Sequence, residues 1–165
     1  MRFEKYSPGP ADILVAQWWA RLTASGDLDL TFGREFTSLS ALLALWQDPS
    51  ELFYLIGKRG ISFAFSLEPS WGAVALSLWA EPELRQSKSL LAMVIAALDE
   101  AFGRWDTVIG VTKQHSLLAL HRKLGYNVTG PLPGLWASGE PAWLMTLTAP
   151  EWKKRRTRWD QARRS

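Results

Sequence analysis

The chain contains no cysteine, which excludes disulfide frameworks, thiolate metal sites and cysteine nucleophiles together. Histidine is nearly absent as well: His115 and His121 are the two present, too few for a histidine-rich metal site. Long apolar stretches are also lacking. The longest is Leu90–Leu98, nine residues, well short of the ~20 needed to cross a bilayer. The opening MRFEKYSPGP does not have the basic-then-apolar order of a signal peptide, so the expected location is cytoplasmic. What is present is an ordinary globular mixture, 47% apolar and 21% charged over 165 residues, enough for one core and not for two. Ten tryptophans stand out.

Charge is unevenly placed. The last fifteen residues, EWKKRRTRWDQARRS, hold seven basic and two acidic side chains, whereas the whole chain is only +3. The tail is therefore +5 and residues 1–150 are −2. This divides the chain into a mildly acidic domain, 1–150, and a basic tail or helix, 151–165. Lys153, Lys154, Arg155, Arg156 and Arg158 are candidate contacts to nucleic acid or a protein partner. The other reading of the tail is a helix that packs Trp152 and Trp159, seven apart, onto the body and leaves its charges in water.

Periodicity supplies the element order. MRFEKYSP reads as a short strand before Pro8-Gly9-Pro10, and Ala11–Ala24 as a helix with Ile13, Ala16, Trp19, Ala20 and Leu22 at helical spacing. Ser38–Gln47 is a second helix with a serine cap. Leu52–Gly57, Ile61–Leu67 and Gly72–Ala80 are rich in branched and aromatic residues. Lys58-Arg59-Gly60 and Glu68-Pro69-Ser70 are the expected turns of an antiparallel meander. A helix follows, capped by Ser87 or Ser89 and ending at Gly103; then a strand at Asp106–Thr112, a helix at Ser116–Leu124 and a stop at Gly125. Strands at Tyr126–Thr129 and Ala142–Leu147 flank PLPGLWASGE. The strand–helix–strand unit over 74–112 predicts one parallel pair inside a mixed sheet. Trp18, Trp19, Trp46, Trp79 and Trp143 fall in elements and are read as core; Trp71 and Trp136 fall in turns or loops and are read as candidates for a binding surface.

This order, together with VTKQHSLLALHRKLGYNVTG at 111–130 and LWAEPELRQSKSLLAMV at 78–94, resembles the GNAT superfamily of acyl-CoA N-acyltransferases. Gln114 stands where that family has a polar residue after a strand, and Lys123-Leu124-Gly125-Tyr126 is similar to its aromatic-headed step into the next strand. The resemblance covers roughly residues 52–148. It implies an α/β (α+β) fold with a mixed, mostly antiparallel central sheet flanked by helices, acetyl-CoA as cofactor, and transfer of the acetyl group to an amine acceptor.

It also implies sites. Trp79, Ala80, Arg85, Gln86, Ser87, Lys88, Ser89 and Gln114 correspond to the cofactor-binding strand end, loop and helix start. A pyrophosphate there calls for convergent N–H groups at a helix N-terminus. The family's small residues are replaced in this chain by Lys88 and Leu90, so serine hydroxyls and a lysine ammonium would meet the phosphates. The alternative is a capped core helix with a solvated lysine. His121 occupies the position where the family commonly has a tyrosine acid, and Glu81 is a candidate proton relay from the amine. His121 also shares a helical face with Leu117, Leu120 and Leu124, a placement more typical of a partly buried core histidine. No metal ligand set is read from the sequence. A looser likeness to internal virion acetyltransferase-like chains of short-tailed phages implies an alternative role: a non-catalytic assembly protein whose tail contacts virion proteins or nucleic acid.

Overall fold

A computed structural model describes residues 13–26, 38–47, 52–56, 63–70, 72–85, 87–136 and 139–162. The expected strand in MRFEKYSP, the turn at Lys58-Arg59-Gly60, Trp71 and Gln86 lie outside the described residues. In chain order the elements are α1 (Ile13–Ser25), α2 (Leu39–Gln47), β1 (Leu52–Ile56), β2 (Phe63–Ser70), β3 (Ala73–Ala80), α3 (Lys88–Phe102), β4 (Thr107–Thr112), α4 (Leu118–Leu124), β5 (Asn127–Leu132), β6 (Ala142–Thr148) and α5 (Ala149–Ala162). Short 3-10 turns at Pro82–Leu84 and His115–Leu117 lead into α3 and α4.

The serine caps are present. The Ala41 N–H donates to Ser38 Oγ, and the Leu90 N–H donates to Ser87 Oγ at 3.2 Å. Gly103 ends α3 with φ −70°, a conformation open to any residue; Gly125 ends α4 at φ +102°, where a side chain would be strained.

The described strands form one sheet in the order β1-β2-β3-β4-β6-β5. β1, β2 and β3 are the antiparallel meander. Its second turn is shifted from the sequence expectation: Glu68, Pro69 and Ser70 stay in β2, paired with Ala75, Val74 and Ala73. The chain reverses only at Gly72, which has φ +80°. Among the described residues β1 pairs no further along β2 than Leu67, so that edge asks for no N–H donor from the proline.

β3 and β4 are parallel, as the strand–helix–strand unit predicts, but their pairing covers only Val74↔Val108 and Ala75↔Ile109. Beyond it, β3 runs to Ala80 still paired with β2, and β4 runs to Thr112 still paired with β6. The two strands therefore diverge inside one continuous sheet.

α3 packs on β2, β3 and β4 and buries Met93, Val94, Ile95, Ala97, Leu98 and Ala101. α5 belongs to the same core: Trp152 is 4% exposed, lies 6.2 Å from the Phe102 ring, and donates its Nε1–H to Asp99 Oδ1 at 2.8 Å. Arg156 adds two hydrogen bonds to the Asp99 carboxylate. At the start of α5 the Glu151 carboxylate reaches back to Thr148, whose N–H and Oγ1–H both donate to Glu151 Oε2, at 3.1 and 2.8 Å. α1 is joined to β3 by Trp18, fully buried, which meets Trp79 edge-on at 6.0 Å. Trp18 and Trp79 are core as expected; Trp19 and Trp143 are half-buried.

Candidate functional site

Where β3 and β4 part, a cleft of about 210 Å³ opens. Leu76 to Ala80 form one wall and Gly110 to Thr112 the other, with Leu90 and Val94 of α3 and His121 of α4 also facing it. From Leu76 onward the β4-facing edge of β3 has no strand partner among the described residues. Such an edge can accept an extended amide-bearing chain by strand-like hydrogen bonding.

One residue the sequence reading did not single out governs this opening. A Cβ built on Gly110 would lie 3.2 Å from Met145 Cε and 3.8 Å from the Leu76 carbonyl oxygen. Any larger side chain there would grow into the space between the diverging strands. A glycine inside an apolar strand signals such a close approach, and the sequence contained that signal in Val108–Thr112.

At the outer end of the cleft sits the loop before α3. Arg85 lines the cleft and its Nε–H donates to the Ala80 carbonyl at 3.0 Å, so the guanidinium is drawn back over the end of β3. Ser87 Oγ accepts from Leu90 N–H and donates to the Leu84 carbonyl at 2.7 Å. The cap thus occupies one amide of the first turn, while the Lys88 and Ser89 amides have no partner among the described residues. The Lys88 and Ser89 side chains are exposed and neither lines the cleft; they stand at its rim. Trp79, Ala80 and Gln114 do line it. Gln114 is positioned by its backbone N–H, which donates to Thr112 Oγ1 at 3.1 Å.

His121 is brought to the cleft, with its ring 5.3 Å from the Tyr126 ring in an edge-to-face contact. Its Nδ1 lies 2.8 Å from the Leu117 carbonyl oxygen. A carbonyl only accepts, so Nδ1 carries the proton and Nε2 is left as a bare acceptor. Burial pushes the imidazole below its ordinary range, opposed by the bond to Leu117. The neutral form is favoured, which works against the acid role suggested by its place in the motif. Burial drives the Tyr126 phenol the other way, well above its ordinary value, so this cleft-lining phenol keeps its proton.

One expected site residue, Glu81, is placed elsewhere, and Trp136 is buried. Glu81 is outside the cleft lining and forms an ion pair with Arg21 of α1, fastening that helix to the end of β3. Trp136 is not an exposed anchor: it is 5% exposed and forms part of the cleft wall. It is held there by Lys113, whose Nζ lies 5.8 Å from the ring centroid and 2.8 Å from Glu140 Oε2. A tryptophan in a glycine- and proline-rich loop gives no sign in sequence that the loop folds back over a cavity.

No protein-family description matches the chain, and no curated protein matches it by sequence. Solved structures do match in three dimensions. An aminoglycoside 6'-N-acetyltransferase complexed with coenzyme A superposes with a TM-score of 0.69 at 16% identity, over 90% of this chain and 97% of that one. A spermidine N-acetyltransferase from Vibrio cholerae in complex with CoA and spermine gives 0.69 at 12% identity, over 91% and 97%. A probable GNAT-family acetyltransferase from Chromobacterium violaceum gives 0.71 at 15% identity, over 88% and 83%. The chain therefore has the GNAT acetyltransferase fold, a mixed sheet flanked by helices with its central parallel pair splayed.

Proposed function

We propose that the chain is an acyl-CoA-dependent N-acetyltransferase acting on an amine. The observation that carries this reading is the open cleft between β3 and β4, bounded by an unpaired strand edge and leading to the N-terminus of α3. The residues present suit the cofactor. The free β3 edge matches an amide-bearing arm. The Lys88 and Ser89 amides, the α3 dipole and the Lys88 ammonium suit phosphates. Acetyl-CoA would supply an acyl thioester at the inner cleft.

The chain's own residues then have separable tasks. Leu76, Leu78, Leu90 and Val94 exclude water from the inner cleft. His121 Nε2 accepts a proton from an approaching ammonium, the tautomer being fixed by Leu117. The Tyr126 phenol keeps its proton and can donate a hydrogen bond to a leaving sulfur without giving the proton up. These roles call for His121 neutral and Tyr126 protonated, the forms that burial favours in each.

The test is release of free thiol from acetyl-CoA in the presence of a panel of amines, including polyamines, aminoglycosides and N-terminal peptides. Turnover with one of these classes, lost in the Gly110→Val variant, supports the reading. No thiol release with any amine would overturn it.

A further inference from the structure

α5 is electrostatically two-sided, and its two flanks face different neighbours. On the α3 flank, Arg156 is neutralised by Asp99 at 3.0 Å and by Asp160 at 3.6 Å. On the other flank, Lys154, Arg155 and Arg158 fall within about 100° of the helix circumference at 3.6 residues per turn. Arg155 reaches across to α4, its Nε lying 3.6 Å from where a Cβ on Gly125 would sit. Gly125 directly follows Arg122-Lys123-Leu124, so Arg155 meets the C-terminal end of α4, where Arg122 and Lys123 are exposed. None of these five side chains has a hydrogen bond or ion pair among the described residues. Glu151 is the acidic residue on that flank, and it is occupied by Thr148 and Asn127.

We propose that the joint α4–α5 surface of Arg122, Lys123, Lys154, Arg155 and Arg158 binds the phosphate backbone of a duplex nucleic acid. Five unpaired cations assembled from two elements on a body otherwise mildly acidic form a directed polyanion site. Single strands are gripped by stacking bases on exposed aromatic rings; here Trp152 is buried and Trp159 is half-buried against it at 5.9 Å. Backbone contact without stacking favours a duplex. The surface shares α4 with His121, so a bound duplex would lie beside the cleft, but the inference stands independently of the acetyltransferase reading.

The experiment is fluorescence anisotropy of the full chain with a labelled duplex of mixed sequence over a salt series. Binding is expected at low salt, weakening with a log–log slope of about −0.9 per phosphate contacted, thus about −3 to −4 for four contacts. The triple variant Lys123→Glu, Lys154→Glu, Arg158→Glu should bind at least about a hundredfold more weakly. Lys153→Glu, on the α3 flank, should change affinity by less than about threefold. Unchanged circular dichroism and unchanged heat of acetyl-CoA binding in the triple variant separate this surface from the cleft. Absence of duplex binding at low salt, a flat salt dependence, equal loss in Lys153→Glu, tighter binding of a single strand, or equal binding of polyglutamate would each overturn the proposal.

Discussion

The Nδ1–H of His121 donates to the carbonyl oxygen of Leu117, 2.8 Å away and one turn earlier in the chain. This bond decides which ring nitrogen is bare, and burial decides that the ring is neutral. Together they favour a neutral ring whose bare acceptor is Nε2.

A pH dependence follows. The folded chain holds His121 below its unfolded value, so between the two values the unfolded state binds more protons. The contribution to stability is fully present above the ordinary histidine range and is lost as pH falls through the depressed folded value. Urea denaturation should show lower stability at pH 5 than at pH 7.5, with a smaller difference in His121→Gln. Equal pH dependence in both proteins would contradict the account.

Gly110 gives a sharper prediction about the cleft. Gly110→Val should still fold, with a modest loss of stability, because branched residues suit a strand and the atom its Cβ crowds, Met145 Cε at 3.2 Å, is the end of a flexible side chain. Its side chain would nonetheless occupy the space between β3 and β4, and calorimetry should show acetyl-CoA affinity reduced at least tenfold, about 1.4 kcal/mol. Gly110→Ala should lose little, since the nearest atom to the added carbon is the flexible end of Met145.

Trp152 measures how firmly α5 belongs to the body. Trp152→Ala removes a ring packed on Phe102 and Trp159 and should cost about 3–5 kcal/mol in urea denaturation. Trp152→Phe keeps much of the ring but leaves Asp99 without its indole donor, for a loss of about 1 kcal/mol from that bond. If Trp152→Ala cost nothing, the helix would be an appendage.

The Thr148–Glu151 pair at the start of α5 should show in the same assay. Glu151→Ala removes the acceptor for the Thr148 N–H and hydroxyl and should cost roughly 1 kcal/mol. Those bonds hold the Glu151 carboxyl below its ordinary value. The stabilisation is therefore present above the ordinary carboxylate range and fades as pH falls through the depressed value.

Much of the fold was legible because it depends on local pattern. The serine caps before α2 and α3, the stop at Gly125 and the parallel pair implied by strand–helix–strand spacing all follow from residues close in sequence. The site was legible only where a motif marks position: Arg85, Gln114 and His121 reach the cleft because strand ends and helix starts carry them there. The rest turns on distant partners. The pairing of Glu81 with Arg21 joins residues sixty apart, and Asp99 meets Trp152 fifty-three apart. Trp136 meets Lys113, twenty-three residues earlier, just beyond the end of β4. Gly110 was visible as a glycine in a strand, but which atoms it admits depends on how β3 and β4 separate.

Isothermal calorimetry of acetyl-CoA with the intact chain tests the central claim most directly. Saturable one-to-one binding is expected, with affinity reduced at least tenfold in Gly110→Val while the protein stays folded. Absence of measurable heat at millimolar acetyl-CoA, with the chain folded, would contradict it.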